Sequence, residues 1–209
     1  MRPPRRLLFL AALGGAAVWY GQNILRFRDP IRVPPPQAGA VLSPADGLVT
    51  FVRRIENGEV RAESAAPLNV RDLTGTEVGE GWLVGLFVGL LGVQYVYAPV
   101  DGTARTVRLA RGATAARLHS DLPDLTGNER DTTILATGRG ELGVTLVGGK
   151  GGLRATSYVR AGQELRAGHK LAFLDRGGLV LLTLPGDAVP QVSVGDRVTG
   201  VETVVARLG

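Results

Sequence analysis

The sequence predicts a mainly β protein, an antiparallel sandwich or barrel, with one membrane helix at its N-terminus. Three observations support this fold class. From Val41 onward, short apolar segments alternate with glycine-rich turn signals. Beyond the N-terminus, no long helical periodicity interrupts that pattern. Residues 7–25, in contrast, contain no charged residue. With 209 residues, the chain is long enough for one domain with a sizeable core.

The N-terminal apolar segment is predicted to be a single membrane anchor. Its 19 uncharged residues would form a helix of about 28 Å, close to the ~30 Å hydrocarbon core of a bilayer. Trp19 and Tyr20 stand where interfacial aromatic residues are expected. Arginines flank both ends, so the charge pattern gives no orientation. A cleaved signal peptide and a buried helix stay open as alternatives, since Gly14 and Gly15 weaken a helix.

The rest of the chain divides into a Pro-rich linker at 27–40 and a β domain at 41–209, after an anchor with basic flanks at 1–26. A second apolar run, residues 82–100, favours one or two buried strands because it holds three glycines and a closing turn. A membrane helix is its alternative. Asn57-Gly58 predicts a hairpin. Further strands are predicted at 104–109, 132–136, 142–147, 153–160, 170–174, 179–184 and 201–207.

Composition excludes several kinds of site. The net charge is +5, but the basic residues are scattered and not interleaved with aromatic residues, so no nucleic-acid partner is expected. With no cysteine there is no disulfide, thiol nucleophile or Cys-zinc site. The two histidines, His119 and His169, leave few ways to build a metal site, and none is expected. Each is interpreted as a loop or turn residue.

Five segments, taken in order, resemble the phosphatidylserine decarboxylase family, especially its short bacterial form. The segments are "FRDPIRVPP" (27–35), "VLSPADGLV" (41–49), "YVYAPVDGT" (95–103), "GNERD" (127–131) and "VSVGDRVTGVETVVA" (192–206). The resemblance implies the β fold of that family. It also implies a place in phospholipid biosynthesis, in which phosphatidylethanolamine is made, and a location at the bacterial cell membrane.

In the family that this chain resembles, a proenzyme cuts itself between Gly and Ser, and the Ser becomes a pyruvoyl group. That ketone forms a Schiff base with the substrate amine and accepts the electrons released with CO₂. An Asp and a His activate the Ser. The resemblance assigns the Asp position to Asp46, in "SPADG". The alternative interpretation of Asp46 is a simple turn residue before glycine.

The other positions of this machinery are altered. Counting back from Pro99 places the family's histidine at Gln94 and a second histidine at Tyr97. Glutamine cannot take a proton at neutral pH, and tyrosine, with an ordinary pKa near ~10, is a poor base. Counting back from Pro185 places the self-cleavage pair at Gly177 and Gly178. Because Gly178 has no hydroxyl, the ester cannot form there.

The sequence therefore favours a family member that does not self-process and instead binds a lipid headgroup or a partner protein. The alternatives are an active decarboxylase with atypical processing and a membrane-tethered structural module. No cofactor is expected, and a pyruvoyl group would be present only if processing occurs. The expected partners are membrane phospholipid, including phosphatidylserine, and another copy of the chain or an active homologue. A weaker candidate for phosphate binding is the glycine-rich stretch formed by Gly148, Gly149, Lys150 and Gly151.

Overall fold

The structure, a computed structural model, describes residues 5–24, 27–61, 66–110, 125, 127–149 and 151–209. Within them, the helices are α1 (Arg5–Asn23) and α2 (Val70–Thr74). The strands are β1 (Ala40–Leu42), β2 (Gly47–Glu56), β3 (Glu59–Val60), β4 (Leu68–Asn69), β5 (Gly81–Val88), β6 (Tyr95–Tyr97), β7 (Gly102–Ala110), β8 (Arg130–Thr137), β9 (Gly140–Val147), β10 (Ala155–Ser157), β11 (Glu164–Leu165), β12 (Lys170–Leu174), β13 (Gly178–Pro185), β14 (Ala188–Pro190), β15 (Arg197–Val198) and β16 (Val204–Leu208).

The largest sheet has β13 at its centre. The strand order is β11-β7-β8-β9-β13-β5-β2-β3-β4, with β15 also paired to β2, and every pairing is antiparallel. Leu181 of β13 lies opposite Thr145 of β9 and Gly85 of β5. A Cβ on Gly85 would lie 2.4 Å from the Phe51 ring, so glycine there leaves room for that buried aromatic side chain.

Strand β13 is buried on both faces. Val180 and Leu182 point into one hydrophobic core, which the large sheet shares with the two smaller sheets. Leu179 and Leu181 point into a second core, which α2 closes. A strand covered on both faces has an uninterrupted apolar sequence rather than an alternating one, which explains the continuous run at 179–184.

Two three-stranded antiparallel sheets, β1-β16-β14 and β10-β12-β6, complete the fold. Over the described residues, the strand order of the largest sheet ends at β11 on one side and at β4 on the other. The mainly antiparallel β class is therefore confirmed. The closed-barrel alternative is wrong, because the end strands of the large sheet do not pair with each other.

The apolar run at 82–100 forms strands, as predicted. It is divided into β5 and β6 by a turn at residues 89–94. The hairpin at Asn57-Gly58 is also present, and both residues have positive φ, 54° and 75°, as a two-residue hairpin turn requires. Strands lie in each of the other predicted segments, although β10 and β16 are shorter than predicted. Residues 111–124 and 126, between β7 and β8, lie outside the described residues.

The predicted N-terminal helix is present as α1, but its predicted crossing of the membrane is not supported. Among the described residues, no helix combines the length and apolarity needed to cross a bilayer. The sequence of α1 gives the reason. It starts with two arginines and ends with the amides Gln22 and Asn23, so 15 residues of the helix carry neither a charge nor an amide. At 1.5 Å per residue they span only about 22 Å.

Residues 27–39 of the linker contain no strand or α-helix, and the linker is attached to the β domain. Two of its side-chain attachments are to β12. The attachments include a stacked ring pair, Phe27–Phe173, with centroids 5.2 Å apart, and two ion pairs, Asp29–Lys170 and Arg32–Asp46. The linker therefore follows a fixed path across the sheet that contains β6 and β12.

Candidate functional site

The predicted self-cleavage pair lies in the tight turn between β12 and β13. Gly177 has φ +65° and Gly178 has φ +152°, conformations that residues with a Cβ rarely adopt. Space is also lacking. A Cβ on Gly177 would lie 2.4 Å from the Val88 carbonyl oxygen, and one on Gly178 would lie 2.7 Å from that of Val147. The turn is thus shaped around two residues without side chains.

Gln94 is in direct contact with this turn. Its side chain is 1% exposed, and its Oε1 accepts a hydrogen bond from the Gly177 N–H at 2.9 Å. Its Nε2 donates to the carbonyl oxygens of Gly89, at 2.8 Å, and Gly92, at 2.9 Å. The structure therefore brings together two of the predicted positions, Gln94 and Gly177. The contact is a neutral amide bridge with no group that can accept a proton at neutral pH.

A groove of about 780 Å³ lies beside the Gly177 turn. Its lining is apolar except at one end. The apolar lining comes from Ala17, Val18 and Gly21 of α1 and from Leu90 and Leu91 in the turn after β5. The polar end is formed by Asp175 and Arg176, just before Gly177. Leu90 and Leu91 are 65% and 69% exposed. The groove thus combines a long apolar wall with an adjacent pair of opposite charges.

Asp46 is held by other parts of the chain. Arg32 donates to both of its carboxylate oxygens, at 2.8 Å in the case of Oδ2, and the Gly200 N–H donates to its Oδ1 at 2.8 Å. The Arg32 side chain is 5% exposed, and the bond to Asp46 raises the pKa of its guanidinium. Asp46 therefore anchors the linker to the β domain, and each of its oxygens already accepts at least one hydrogen bond.

Tyr97 lies close to that ion pair. It is 4% exposed, and the Arg32 guanidinium carbon lies 5.6 Å from the centre of its ring. Among the described residues, its hydroxyl has no hydrogen-bond partner. Burial raises the pKa of Tyr97 to about 12, so the phenol stays protonated at neutral pH and cannot serve as a general base.

The glycine-rich stretch at 148–152 encloses a carboxylate of the chain itself. Glu129 Oε2 accepts the Leu153 N–H at 2.7 Å, and a Cβ on Gly152 would lie 2.5 Å from the same oxygen. The Gly148 N–H is used by the Glu129 carbonyl at 2.9 Å. A phosphate there would compete with Glu129. Lys150 lies outside the described residues, and phosphate binding by Gly148, Gly149 and Gly151 stays a prediction.

Several residues of the site were not identified from sequence as functional. The sequence identifies Asn128, Glu129 and Arg130 only as a motif. In the structure, Asn128 donates to the Gly148 carbonyl at 2.7 Å. Arg130 donates to two carbonyls of α2. Asp175 and Arg176 could have been found by their position directly before the glycine pair. Leu90 and Leu91 gave a weaker signal, two adjacent apolar residues inside a glycine-rich turn.

The structure describes one of the two histidines, His169. His169 is exposed in the turn before β12, where its backbone N–H donates to the Arg166 carbonyl at 2.9 Å, so the interpretation as a turn residue holds for its backbone. His119 lies outside the described residues. In the described part of the chain, no group of three His, Asp or Glu side chains is placed to hold a metal ion.

Comparison with known proteins identifies relatives over nearly the whole chain. The family model described as phosphatidylserine decarboxylase matches residues 23–206. A phosphatidylserine decarboxylase proenzyme from Neisseria gonorrhoeae is 33% identical over 184 residues, 87% of this chain and 63% of the relative. One from Ralstonia pickettii is 31% identical over 87% of this chain and 76% of the relative. The chain thus spans somewhat less than two thirds of the Neisseria proenzyme that it matches.

Proposed function

Since the chain belongs to the phosphatidylserine decarboxylase family, we propose that it is a member that does not self-process and that binds a phospholipid headgroup without decarboxylating it. Its place is in phospholipid metabolism at the bacterial cell membrane. The observation that carries the proposal is the Gly177–Gly178 turn, the predicted position of the self-cleavage pair, which has no hydroxyl and where a Cβ would meet neighbouring backbone.

The residues at this turn do not fit a pyruvoyl group. Such a group derives from the residue after the cut, whose Cβ becomes the methyl carbon, and Gly178 has no Cβ. The bases that would activate a nucleophile are replaced by the Gln94 amide and by Tyr97, whose burial raises its pKa to about 12. Asp46 is engaged by Arg32 and Gly200. Both the predicted nucleophile and the groups that would activate it are therefore altered. This supports a role in binding rather than in catalysis.

The groove beside the turn supports a phospholipid as the ligand. Its apolar wall suits acyl chains, and its charged end, Asp175 and Arg176, suits a headgroup that carries both an ammonium and a phosphate. If the headgroup lies at Gly177, the acyl chains of the phospholipid would contact α1 and the turn at 89–92.

The surface around the groove supports attachment to one leaflet. Apolar side chains of α1 are exposed, including Phe9, Leu10, Leu13, Val18 and Trp19, and Arg6 is exposed near its start. Leu90 and Leu91 add to the same surface beside α1. A helix with exposed apolar residues and basic residues at one end can lie in the interface of an anionic membrane. We therefore propose that α1 lies in the membrane surface.

The first test is the intact mass of the purified protein. We expect a single chain near 22.0 kDa, because no hydroxyl is available at residue 178. Two chains that end and begin at the 177–178 bond, with a blocked second N-terminus, would contradict the proposal. Cuts elsewhere with a pyruvoyl N-terminus would instead support the alternative of atypical processing.

The second test measures attachment to vesicles of phosphatidylserine and of phosphatidylcholine. We expect tighter binding to phosphatidylserine, and Leu91→Asp should weaken it about tenfold, because burial of one leucine contributes roughly 1.5–3 kcal/mol. Val194→Asp is the matched control, since Val194 is similarly exposed, at 64%, in a turn of the β domain that does not line the groove. Equal binding to both lipids would contradict headgroup recognition. In that case, pairing with another copy or an active homologue would be the remaining proposal, measurable by light scattering.

A further inference from the structure

We propose that Gln94 is a positioning residue that fixes the headgroup end of the groove by joining its two sides. This inference rests on the proposed function. One side of the groove is the turn at 89–92, which carries Leu90 and Leu91; the other is the turn that carries Asp175, Arg176 and Gly177. The Gln94 amide hydrogen-bonds to both turns.

The side-chain amide is chemically matched to this place. It offers an acceptor oxygen and two N–H donors, and the bridge uses the oxygen once and the nitrogen twice. A neutral imidazole has one donor and one acceptor, so it could not serve both carbonyls of the 89–92 turn. The residue that replaces the family's histidine therefore makes a bridge that histidine could not complete.

The bridge also sets the backbone around it. The Gln94 carbonyl accepts the Leu174 N–H at 2.8 Å, so the same residue holds the end of β12 through its backbone and the Gly177 turn through its side chain. Because the side chain is 1% exposed, water cannot replace a lost partner at low cost. Removing one donor therefore separates the apolar wall of the groove from its charged end.

Gln94→Glu gives a test that a merely structural role would not pass. In the variant, the ionised carboxylate can still accept from the Gly177 N–H. Its other oxygen, however, places negative charge next to the carbonyl oxygens of Gly89 and Gly92. The protonated form regains one donor. Burial raises the pKa of a carboxyl in such a place, so the variant's bridge keeps one of its two donor contacts below that pKa and loses both as pH rises through it.

We expect Gln94→Glu to bind phosphatidylserine vesicles about tenfold more weakly than the wild type at pH 8 and to regain most of that loss at pH 5.5. In the described part of the chain, the charged residues that line the groove beside the bridge are Asp175 and Arg176. The lining residues of α1 and of the 89–92 turn have no ionisable side chain. The wild type, measured in parallel, corrects for Asp175 and for the lipid. Gln191→Glu is the control, because the exposed Gln191 amide also donates to two carbonyls.

Hydrogen exchange of the 89–92 turn separates this inference from the proposed function. In Gln94→Glu at pH 8, the Gly92 amide, which donates to the Gly89 carbonyl, should exchange at least tenfold faster than in the wild type, whether or not lipid binds, because that turn loses both donor contacts from residue 94. If exchange changes as expected but the wild type does not prefer phosphatidylserine, the bridge stands and the proposed function fails. If the wild type binds but Gln94→Glu binds equally well at both pH values, the positioning role is wrong. Should the variant not fold, Gln94→His takes its place, with a smaller loss that no longer recovers at pH 5.5.

Discussion

Replacing Gly178 with serine should leave the chain uncut and lower its free energy of unfolding by about 3 kcal/mol. A serine at this predicted self-cleavage position adds a Cβ that would lie 2.7 Å from the Val147 carbonyl oxygen, on a residue whose φ is +152°. An overpacked site costs roughly 1–3 kcal/mol, and a strained backbone conformation costs a similar amount. The new hydroxyl would also lack the predicted histidine, because Gln94 stands at that position and its amide accepts from the adjacent Gly177 N–H. Denaturant unfolding measures the first effect and intact mass the second.

Gly138→Ser is the matched control, because a Cβ at Gly138 has nothing within 4 Å. It should change the free energy of unfolding by less than about 0.5 kcal/mol, as other exposed substitutions do. The double variant Gly178→Ser, Gln94→His tests whether a base is sufficient. Cleavage by Gly178→Ser alone would show that the histidine is dispensable, and our account of the lost activation would then be wrong.

Arg32→Met should destabilise the protein by about 3 kcal/mol. The Arg32 side chain is 5% exposed and donates to both oxygens of Asp46. Methionine retains most of the aliphatic length but leaves the Asp46 carboxylate without its cation. Breaking a buried ion pair in this way costs about 3–5 kcal/mol, and the lower end applies because the Asp46 side chain is 23% exposed. Thermal unfolding at fixed pH measures the loss.

The ion pair between Arg71 and Glu77 provides the comparison for Arg32. Both of those side chains are 71% exposed, so Arg71→Met should cost less than about 1 kcal/mol. If Arg32→Met were as mild as Arg71→Met, the linker would not depend on this anchor, and the assignment of a structural role to Asp46 would lose its main support.

Most of the β fold could be predicted from local sequence because turns and apolar runs are local signals. The run at 82–100 was assigned to strands from its glycines and its closing turn, and the structure confirms β5 and β6. The short helix α2 was missed since its five residues are too few for helical periodicity to be detected. The open edge of the large sheet could not be predicted, because closure depends on pairings between strands far apart in the chain.

The site was predictable in position but not in geometry. Counting from Pro99 and Pro185 identified Gln94 and Gly177, but their hydrogen bond joins residues 83 positions apart, and no sequence spacing predicts it. Similarly, the glycine-rich stretch suggested an anion nest, whereas the contact between Glu129 and Leu153 shows which carboxylate already lies there. The residue types indicated which chemical group stands at each position of the site. The hydrogen-bond partner of that group depends on the packing of strands that are distant in sequence.

The linker has a mechanical consequence for the groove. Phe27 and Asp29 are both fastened to β12, at Phe173 and Lys170, and β12 leads directly into the turn that carries Gly177. The linker residues nearest to α1 and the turn beside the groove are thus attached to the same five-residue strand. A displacement of Phe27 or Asp29 is therefore transmitted through β12 to the turn that carries Gly177.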